Sequence, residues 1–263
     1  MKISVIGAGA MGGAMVHGML KGSTFANADI TVADPSAKAL EQFEATGVTV
    51  TTDNALAAKV SDIVAVVVKP WLVESVLKGI KQSLDYSRQL LIVVAAGVSS
   101  AQIKEWLDKG DGTMIPLFLV IPNTAIAVMN SMTFVVPVGA SEEQTATVKA
   151  MFDEMGSTLI TEERLLAAGT TLASCGIAYA MRYVRAASEG GVEIGFKADD
   201  AKAIVLQTVK GAVELLQANG NHPETEIDKV TTPGGVTIKG LNEMEHAGFT
   251  SAVIRGLKAG MKS

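Results

Sequence analysis

The sequence is poor in several residue types and patterns, and each shortage excludes a class of function. It contains one cysteine, Cys175, so no intrachain disulfide is possible, which suits a reducing compartment. Its three histidines and single cysteine lie far apart along the chain, so a structural zinc site is not expected and no metal is assigned. Positive charge is not in excess: the formal net charge is −5 and no basic stripe is present, which argues against a nucleic-acid partner. Long hydrophobic runs are missing as well. The clearest apolar stretches, residues 63–68 and 90–96, suit buried strands and are far too short to cross a bilayer. The opening MKISVIGAGAMGG has no basic segment followed by a secretory hydrophobic stretch and cleavage site. These features predict a cytoplasmic chain with no membrane partner.

What is present is a globular pattern. The 263 residues are 48% apolar and 19% charged, enough to bury a core and to form two domains. The first half alternates short β-branched runs with helical patterns. Strands are expected at residues 3–6, 30–33, 48–51, 63–68, 90–95, 115–121 and 133–138. Helices are expected at 10–21, 37–46 and 72–80, with a further helix capped by Ser100 and carrying Ile103 and Trp106. Strands that are apolar on both faces need helices on both sides of the sheet, and strand–helix alternation implies right-handed parallel crossovers. The expected fold class is α/β, an N-terminal Rossmann-type doubly wound sheet followed by an all-α C-terminal domain.

The pattern changes near Thr161. Residues 163–194, 199–218 and 235–247 read as helical, with breaks at 195–196, 219–223 and 231–234. The expected division is residues 1–160 for dinucleotide binding and 161–263 for substrate binding and dimerisation. One helix carries Ala201, Ile204, Val205, Thr208, Val209, Ala212, Val213 and Leu216, apolar around too much of its circumference for a monomer surface. It is either a buried core helix or part of an interface between two chains.

The most informative local pattern is Gly7-Ala8-Gly9-Ala10-Met11-Gly12, a G-x-G-x-x-G run between a strand and a helix. Gly7 permits a tight turn, Gly9 lets the backbone approach a pyrophosphate at the helix N-terminus, and Gly12 allows close helix–strand packing. Asp34 ends the next strand, 22 residues past Gly12. Its carboxylate suits the ribose hydroxyls of NAD and repels a 2′-phosphate; Ser36 and Lys38, just beyond, suit that phosphate. Asp34 also fits as the cap of the following helix.

Four further segments, taken with this turn, resemble pyrroline-5-carboxylate reductase along nearly the whole chain. Val68-Lys69-Pro70 is similar to the family's A-V-K-P, Ala95-Ala96-Gly97-Val98 to A-A-G-V, and Ile121-Pro122-Asn123-Thr124-Ala125 to M-P-N-T-P. Val230-Thr231-Thr232-Pro233-Gly234-Gly235-Val236-Thr237, with Gly240 and Leu241 following, is similar to its C-terminal S-P-G-G-x-T signature. His222-Pro223 stands upstream in its usual place. The resemblance implies NAD(P)H-dependent reduction of a cyclic imine to proline in amino-acid biosynthesis, by a homodimer or higher homo-oligomer. The family slightly favours NADPH, whereas Asp34 favours NADH.

The local chemistry of these segments leaves two uses for each. Lys69 meets a phosphate or ribose, or is a solvated loop lysine. Pro122 and Asn123 flank the nicotinamide, or form a plain turn. Thr232, Gly234, Gly235, Val236 and Thr237 hold a substrate carboxylate on free N–H groups, or form an ordinary helix start capped by Thr232. On the functional reading, the cofactor-binding residues are Gly7, Ala8, Gly9, Ala10, Met11, Gly12, Asp34, Ser36, Val68, Lys69, Pro70, Ala95, Ala96, Gly97 and Pro122. Asn123 joins the substrate loop, and Thr237 is the catalytic candidate, its hydroxyl bonded to the imine nitrogen.

The sequence departs from the family at Ala173-Ser174-Cys175-Gly176-Ile177-Ala178-Tyr179, similar to S-G-S-G-P-A-Y, and at Ala125. Those changes keep open a reductase of another imine. A β-hydroxyacid dehydrogenase shares the two-domain plan but places a lysine on its interdomain helix, and no lysine lies between Lys149 and Lys197 here. A non-catalytic dinucleotide sensor would not need the Pro233-Gly234-Gly235-Val236-Thr237 loop.

Overall fold

The computed structural model describes residues 1–261, and the chain divides into two compact units, Met1–Ile177 and Ala178 onward. The first unit is built on one sheet of β1 (Ile3–Ile6), β2 (Ile30–Ala33), β3 (Thr49–Thr51), β4 (Ile63–Val66), β5 (Leu90–Val93), β6 (Leu117–Ile121), β7 (Ser131–Val138) and β8 (Gly156–Ile160). Their order is β3-β2-β1-β4-β5-β6-β7-β8. Strands β1 to β6 run parallel to one another, with Ile6 aligned with Ala33 on one side and Val66 on the other. This order reverses direction between β1 and β4, which opens a crevice at their carboxyl ends.

Alternation along the strands sends side chains into two cores. Ile3, Val5, Ile30, Val32 and Ala65 pack with Met15, Val16 and Met19 of α1 (Ala10–Met19), Leu40 of α2 (Ala37–Leu40), and Val148 and Phe152 of a later helix at Glu142–Asp153. Ile6, Val64, Val66, Leu91 and Val93 face α3 (Asn54–Val60), α4 (Pro70–Ile80) and α5 (Ser100–Leu107). The Glu142–Asp153 helix is α6. Helices on both faces bury the central strands completely, as the doubly wound reading requires.

Several details differ from the sequence expectation. Strand β7 is antiparallel to β6, because the nine residues between them cannot hold a crossover helix, and β8 then runs parallel to β7. The helix expected over 37–46 is α2 followed by a 3₁₀ turn at Glu41–Phe43, and that expected over 10–21 ends at Met19. The cap of α5 is Ser99, whose hydroxyl accepts the Gln102 N–H while the Gln102 side chain returns to Ser99. Ser100 is engaged elsewhere: Glu163 accepts its N–H at 2.8 Å and its hydroxyl at 2.6 Å.

That contact explains why the units part later than residue 160. Residues 161–177, including α7 (Leu166–Gly169) and a π-helical turn at Thr170–Ser174, stay with the sheet. Glu163 is tied to α5, Leu166 packs on the core beneath it, and Gly169 lies so close to Phe134 that a Cβ would be 2.9 Å from its ring.

The second unit contains most of α8 (Gly176–Glu193), then α9 (Ala198–Asn219), α10 (Pro223–Lys229), α11 (Val236–His246) and α12 (Phe249–Ala259), with no strand among the described residues. Gly220 ends α9 in the left-handed conformation that a helix C-terminus favours. Ala201 is the one buried residue of α9. Ile204, Leu206 and Val213 are each about half exposed, at 46%, 51% and 48%, so the core-helix reading is not met within one chain.

Candidate functional site

The carboxyl ends of β1, β2, β4, β5 and β6 carry the residues singled out in the first unit. Gly7 follows β1 with φ 111°, a conformation L side chains avoid, and a Cβ there would overlap the Val67 carbonyl. The chain leaving β4 therefore leans directly on the turn. Gly12 is equally constrained, since its Cβ would overlap the Gly7 carbonyl oxygen; it serves the fit of α1 onto its own turn more than onto the strand. Gly9 is different. It is the N-cap of α1, no side chain caps it, and the space where its Cβ would stand is open. Ala10 and Met11 follow in the first turn, so their N–H groups lack helical partners. A tight turn, an uncapped helix start and free space above it fit the pyrophosphate of a dinucleotide.

Asp34 lies at the end of β2, beside that turn. Its Oδ2 accepts the Ala8 N–H at 2.8 Å and its Oδ1 accepts the Ser36 N–H at 2.9 Å. Two fixed amides hold the carboxylate in place, half-buried between the glycine turn and the loop to α2. Asp34 is thus not the cap of α2; Ser36 occupies that position, without a side-chain capping bond. Ser36 and Lys38 are exposed.

Beyond β4, Val67 and Val68 are largely covered, while Lys69 and Pro70 are exposed at the start of α4, with Pro70 in its first turn. Beyond β5, Ala95, Ala96 and Gly97 form an accessible loop in which Gly97 has φ 79°. Beyond β6, Pro122 and Asn123 are buried. Asn123 Oδ1 accepts the Ala125 N–H at 3.0 Å and opens a 3₁₀ turn at Thr124–Val128, so the turn reading is correct for that atom. Its backbone N–H donates to Ser131 Oγ at 3.1 Å.

The sequence reading missed three features here. Asn54, at the start of α3, has a buried Oδ1 with no hydrogen-bond partner. Ser131 and Thr133 are buried hydroxyls joined at 3.0 Å beneath Asn123. Glu163 anchors α5 just after the Ala95–Gly97 segment. None of these has a local sequence signature, because burial and pairing in the fold, not residue type or spacing, set them apart.

The remaining candidates belong to the second unit. Gly234 has φ 71°, and Gly235 is the N-cap of α11 with no side-chain capping bond. Thr232 is therefore not the cap; its carbonyl accepts the Gly235 N–H at 2.9 Å in a turn that precedes the helix. Val236 and Thr237 form the exposed first turn of α11. An apolar recess of about 560 Å³ lies between α8, α11 and α12, lined by Tyr179, Tyr183, Met244, Phe249 and Val253 with Arg182 at its side. Among the described residues no His, Cys, Asp and Glu group could hold a metal ion, and no helix is long and apolar enough to cross a membrane.

With this geometry in view, likeness to known proteins is specific. Residues 2–97 match the family described as NADP oxidoreductase coenzyme F420-dependent, and residues 163–263 match pyrroline-5-carboxylate reductase dimerisation. Pyrroline-5-carboxylate reductase 1 of Dictyostelium discoideum is 38% identical over 97% of this chain, which spans 48% of that longer protein. Pyrroline-5-carboxylate reductase 2 of the same organism is 34% identical, with 97% of this chain and 89% of the relative covered. A crystal structure of Plasmodium falciparum pyrroline carboxylate reductase with NADP bound superposes with a TM-score of 0.90 at 25% identity, covering 100% of this chain and 96% of the other. A likeness that runs through both units at these identities places the chain in the pyrroline-5-carboxylate reductase family.

Proposed function

We propose that this protein reduces pyrroline-5-carboxylate to proline with a reduced nicotinamide dinucleotide, NADH in preference to NADPH, as a cytoplasmic homodimer. The observation that carries the reading is the glycine turn with Asp34 locked beside it, in a chain whose relatives over both units are reductases of this imine. In this reading residues 1–160 bind the dinucleotide, and residues 161–263 bind substrate and dimerise.

The bound cofactor supplies a hydride for the imine carbon. The residues of this chain supply position. The uncapped start of α1 takes the pyrophosphate, and Asp34 accepts from the adenosine ribose. Lys69, exposed at the start of α4, would meet a phosphate or the ribose. Ala95, Ala96, Gly97 and Pro122 would hold the nicotinamide half. The free N–H groups of Gly235, Val236 and Thr237 hold the substrate carboxylate, as a helix start holds any anion. The Thr237 hydroxyl bonds the imine nitrogen, and Asn123 donates to the ligand from the sheet. If the imine arrives protonated, hydride addition to its carbon gives the neutral secondary amine directly. The protein then needs no strong general acid, and catalysis rests on near-attack geometry and exclusion of water.

Dimerisation is supported by the second unit, whose apolar recess and half-exposed α9 are the surface a second copy would cover. A β-hydroxyacid dehydrogenase reaction is disfavoured, because α8 presents Tyr179, Arg182 and Arg185 and no lysine.

The test is the initial rate of NADH and NADPH oxidation with pyrroline-5-carboxylate, beside a 3-hydroxy acid run in the oxidising direction. Turnover with the imine alone is expected. Dinucleotide binding without imine turnover would reject this substrate and redirect the search to other imines. Thr237→Ala and Thr237→Val should both lose turnover; near-normal rates in both would remove Thr237 from the mechanism.

A further inference from the structure

Asn123, Ser131 and Thr133 are polar side chains buried where the pattern calls for apolar ones. They are 4%, 3% and 0% exposed. Ser131, Thr133 and Val135 alternate onto one face of β7, and Val135 belongs to the apolar core with α1. Such a pair of hydroxyls needs a reason, because buried polar groups cost free energy unless bonded.

Part of the reason is local. The antiparallel pairing of β6 with β7 ends at Ile121 opposite Phe134, so the Asn123 N–H finds no strand carbonyl. Ser131 Oγ accepts it at 3.1 Å. Ser131 alone would complete that bond. Thr133 adds a second hydroxyl 3.0 Å from Ser131 Oγ, and with either oxygen as donor this bond holds the serine hydroxyl where it accepts the Asn123 N–H. On the other side, Asn123 Oδ1 is held by the Ala125 N–H. With backbone and Oδ1 both fixed, the direction of Nδ2 is fixed too, and among the described residues Nδ2 has no hydrogen-bond partner.

The loop that carries Asn123 is also keyed to the dinucleotide helix. The Ile126 carbonyl lies where a Cβ on Gly18 of α1 would come within 2.6 Å, and Lys21 donates to the Ala127 carbonyl at 2.6 Å. Asn123 is thereby held in register with the helix whose start forms the glycine turn.

We infer that Ser131 and Thr133 are positioning residues for the reduction, acting through Asn123, whose Nδ2 they aim as a donor at an acceptor oxygen of the ligand. This rests on the proposed function. The acceptor is the substrate carboxylate or the nicotinamide carboxamide oxygen, which share this chemistry.

A double-mutant cycle on the full-length protein tests it. Asn123→Ala, Ser131→Ala, Thr133→Val and Thr133→Ser are compared by steady-state kinetics, by NADH affinity from fluorescence titration and by thermal melting. Thr133→Val preserves shape and fold even if Ser131→Ala is impaired. Asn123→Ala, Ser131→Ala and Thr133→Val should each lower kcat/KM roughly 10-fold or more, as small displacements of positioning groups do. Thr133→Ser should restore the rate to within about 2-fold. The Ser131→Ala/Asn123→Ala double variant should be no worse than Asn123→Ala alone, since Ser131 acts through Asn123. A raised substrate KM with NADH affinity intact identifies the substrate as acceptor; weakened NADH binding identifies the carboxamide. Multiplying losses in the double variant, or a Thr133→Val enzyme with melting lowered and kinetics unchanged, would overturn the inference. An Asn123→Ala enzyme at full rate would overturn it alone, whereas a wild type that binds NADH without reducing the imine would reject the function itself.

Discussion

Asp34 offers the sharpest perturbation. Its two oxygens hold the Ala8 and Ser36 amides at 2.8 and 2.9 Å, so it can neither rotate away from a ribose nor retreat from a 2′-phosphate. A hydrogen bond to a charged group contributes about 1.5–3 kcal/mol. Loss of the ribose acceptor therefore predicts a fall of roughly 10- to 150-fold in kcat/KM for NADH. Replacing the carboxylate with a neutral side chain also removes its repulsion of a 2′-phosphate, so kcat/KM for NADPH should hold or rise. The ratio of NADH to NADPH efficiency should then drop by about two orders of magnitude in Asp34→Ser.

Asp34→Asn separates charge from hydrogen bonding. It keeps one acceptor oxygen but turns an NH₂ toward one of the two amides. It should weaken NADH use, relieve the phosphate repulsion, and melt lower than Asp34→Ser, whose small hydroxyl opposes neither amide. The assay is the loss of reduced-nicotinamide absorbance at fixed imine, with each cofactor titrated. An unmoved cofactor ratio in both variants, with folding intact, would refute the assignment and leave Asp34 as a brace of the glycine turn only.

Two other perturbations follow from single contacts. Gly12→Ala puts a Cβ into the Gly7 carbonyl, so the turn must open; dinucleotide binding should be lost in a titration, with destabilisation of about 2–3 kcal/mol. Glu154, at the end of α6, accepts from the Ser23 hydroxyl and from the Ser23 and Thr24 N–H groups, and these bonds hold its carboxyl at about 2, below its ordinary 4.5. A depressed carboxyl stabilises the fold fully above about 4.5 and loses that contribution as pH falls toward 2. The upper bound is ~3 kcal/mol, reduced by solvent screening to ~1–2 kcal/mol. Urea melts from pH 6 downward should show that much extra acid sensitivity in wild type relative to Glu154→Gln; parallel curves would deny the clamp.

The legible parts of this protein are those in which the constraint is local. A strand buried on both faces is apolar at every position, so β1, β2, β4 and β5 stand out in the sequence. A turn that excludes a Cβ must be glycine, so Gly7 and Gly12 declare themselves by residue type and spacing alone. Legibility fails where the partner is remote. Glu163 looks like any acidic residue until its bond to Ser100, 63 positions away, is seen. The cap at Ser99 is legible but missed: Ser99-x-x-Gln102 fits the capping-box spacing, whereas Ser100 has Ile103 three residues on. Strand β8 alternates half-covered and exposed residues on the sheet's edge, a pattern too weak to separate from a loop. Helix α12 is amphipathic, but only Ala247 and Gly248 separate it from α11, so its pattern merges with its neighbour's.

The two units differ sharply in what they bury. The first buries its apolar residues in two layers, while α8, α10, α11 and α12 have no buried residue and α9 has one. Burial of apolar surface is the main favourable term in folding, and a helical unit without it is marginal by itself. In the proposed homodimer a second copy would supply the missing burial, and by mass action the stability of this unit would then depend on protein concentration. Leu206→Glu introduces a charge on the half-exposed face of α9, where a monomer would tolerate it and a dimer would not. In sedimentation experiments this variant should dissociate at concentrations at which wild type is associated, and its helical signal should melt earlier on dilution. An associated Leu206→Glu protein with unchanged melting would show that α9 faces solvent in the assembly, and would move the interface to the recess between α8, α11 and α12.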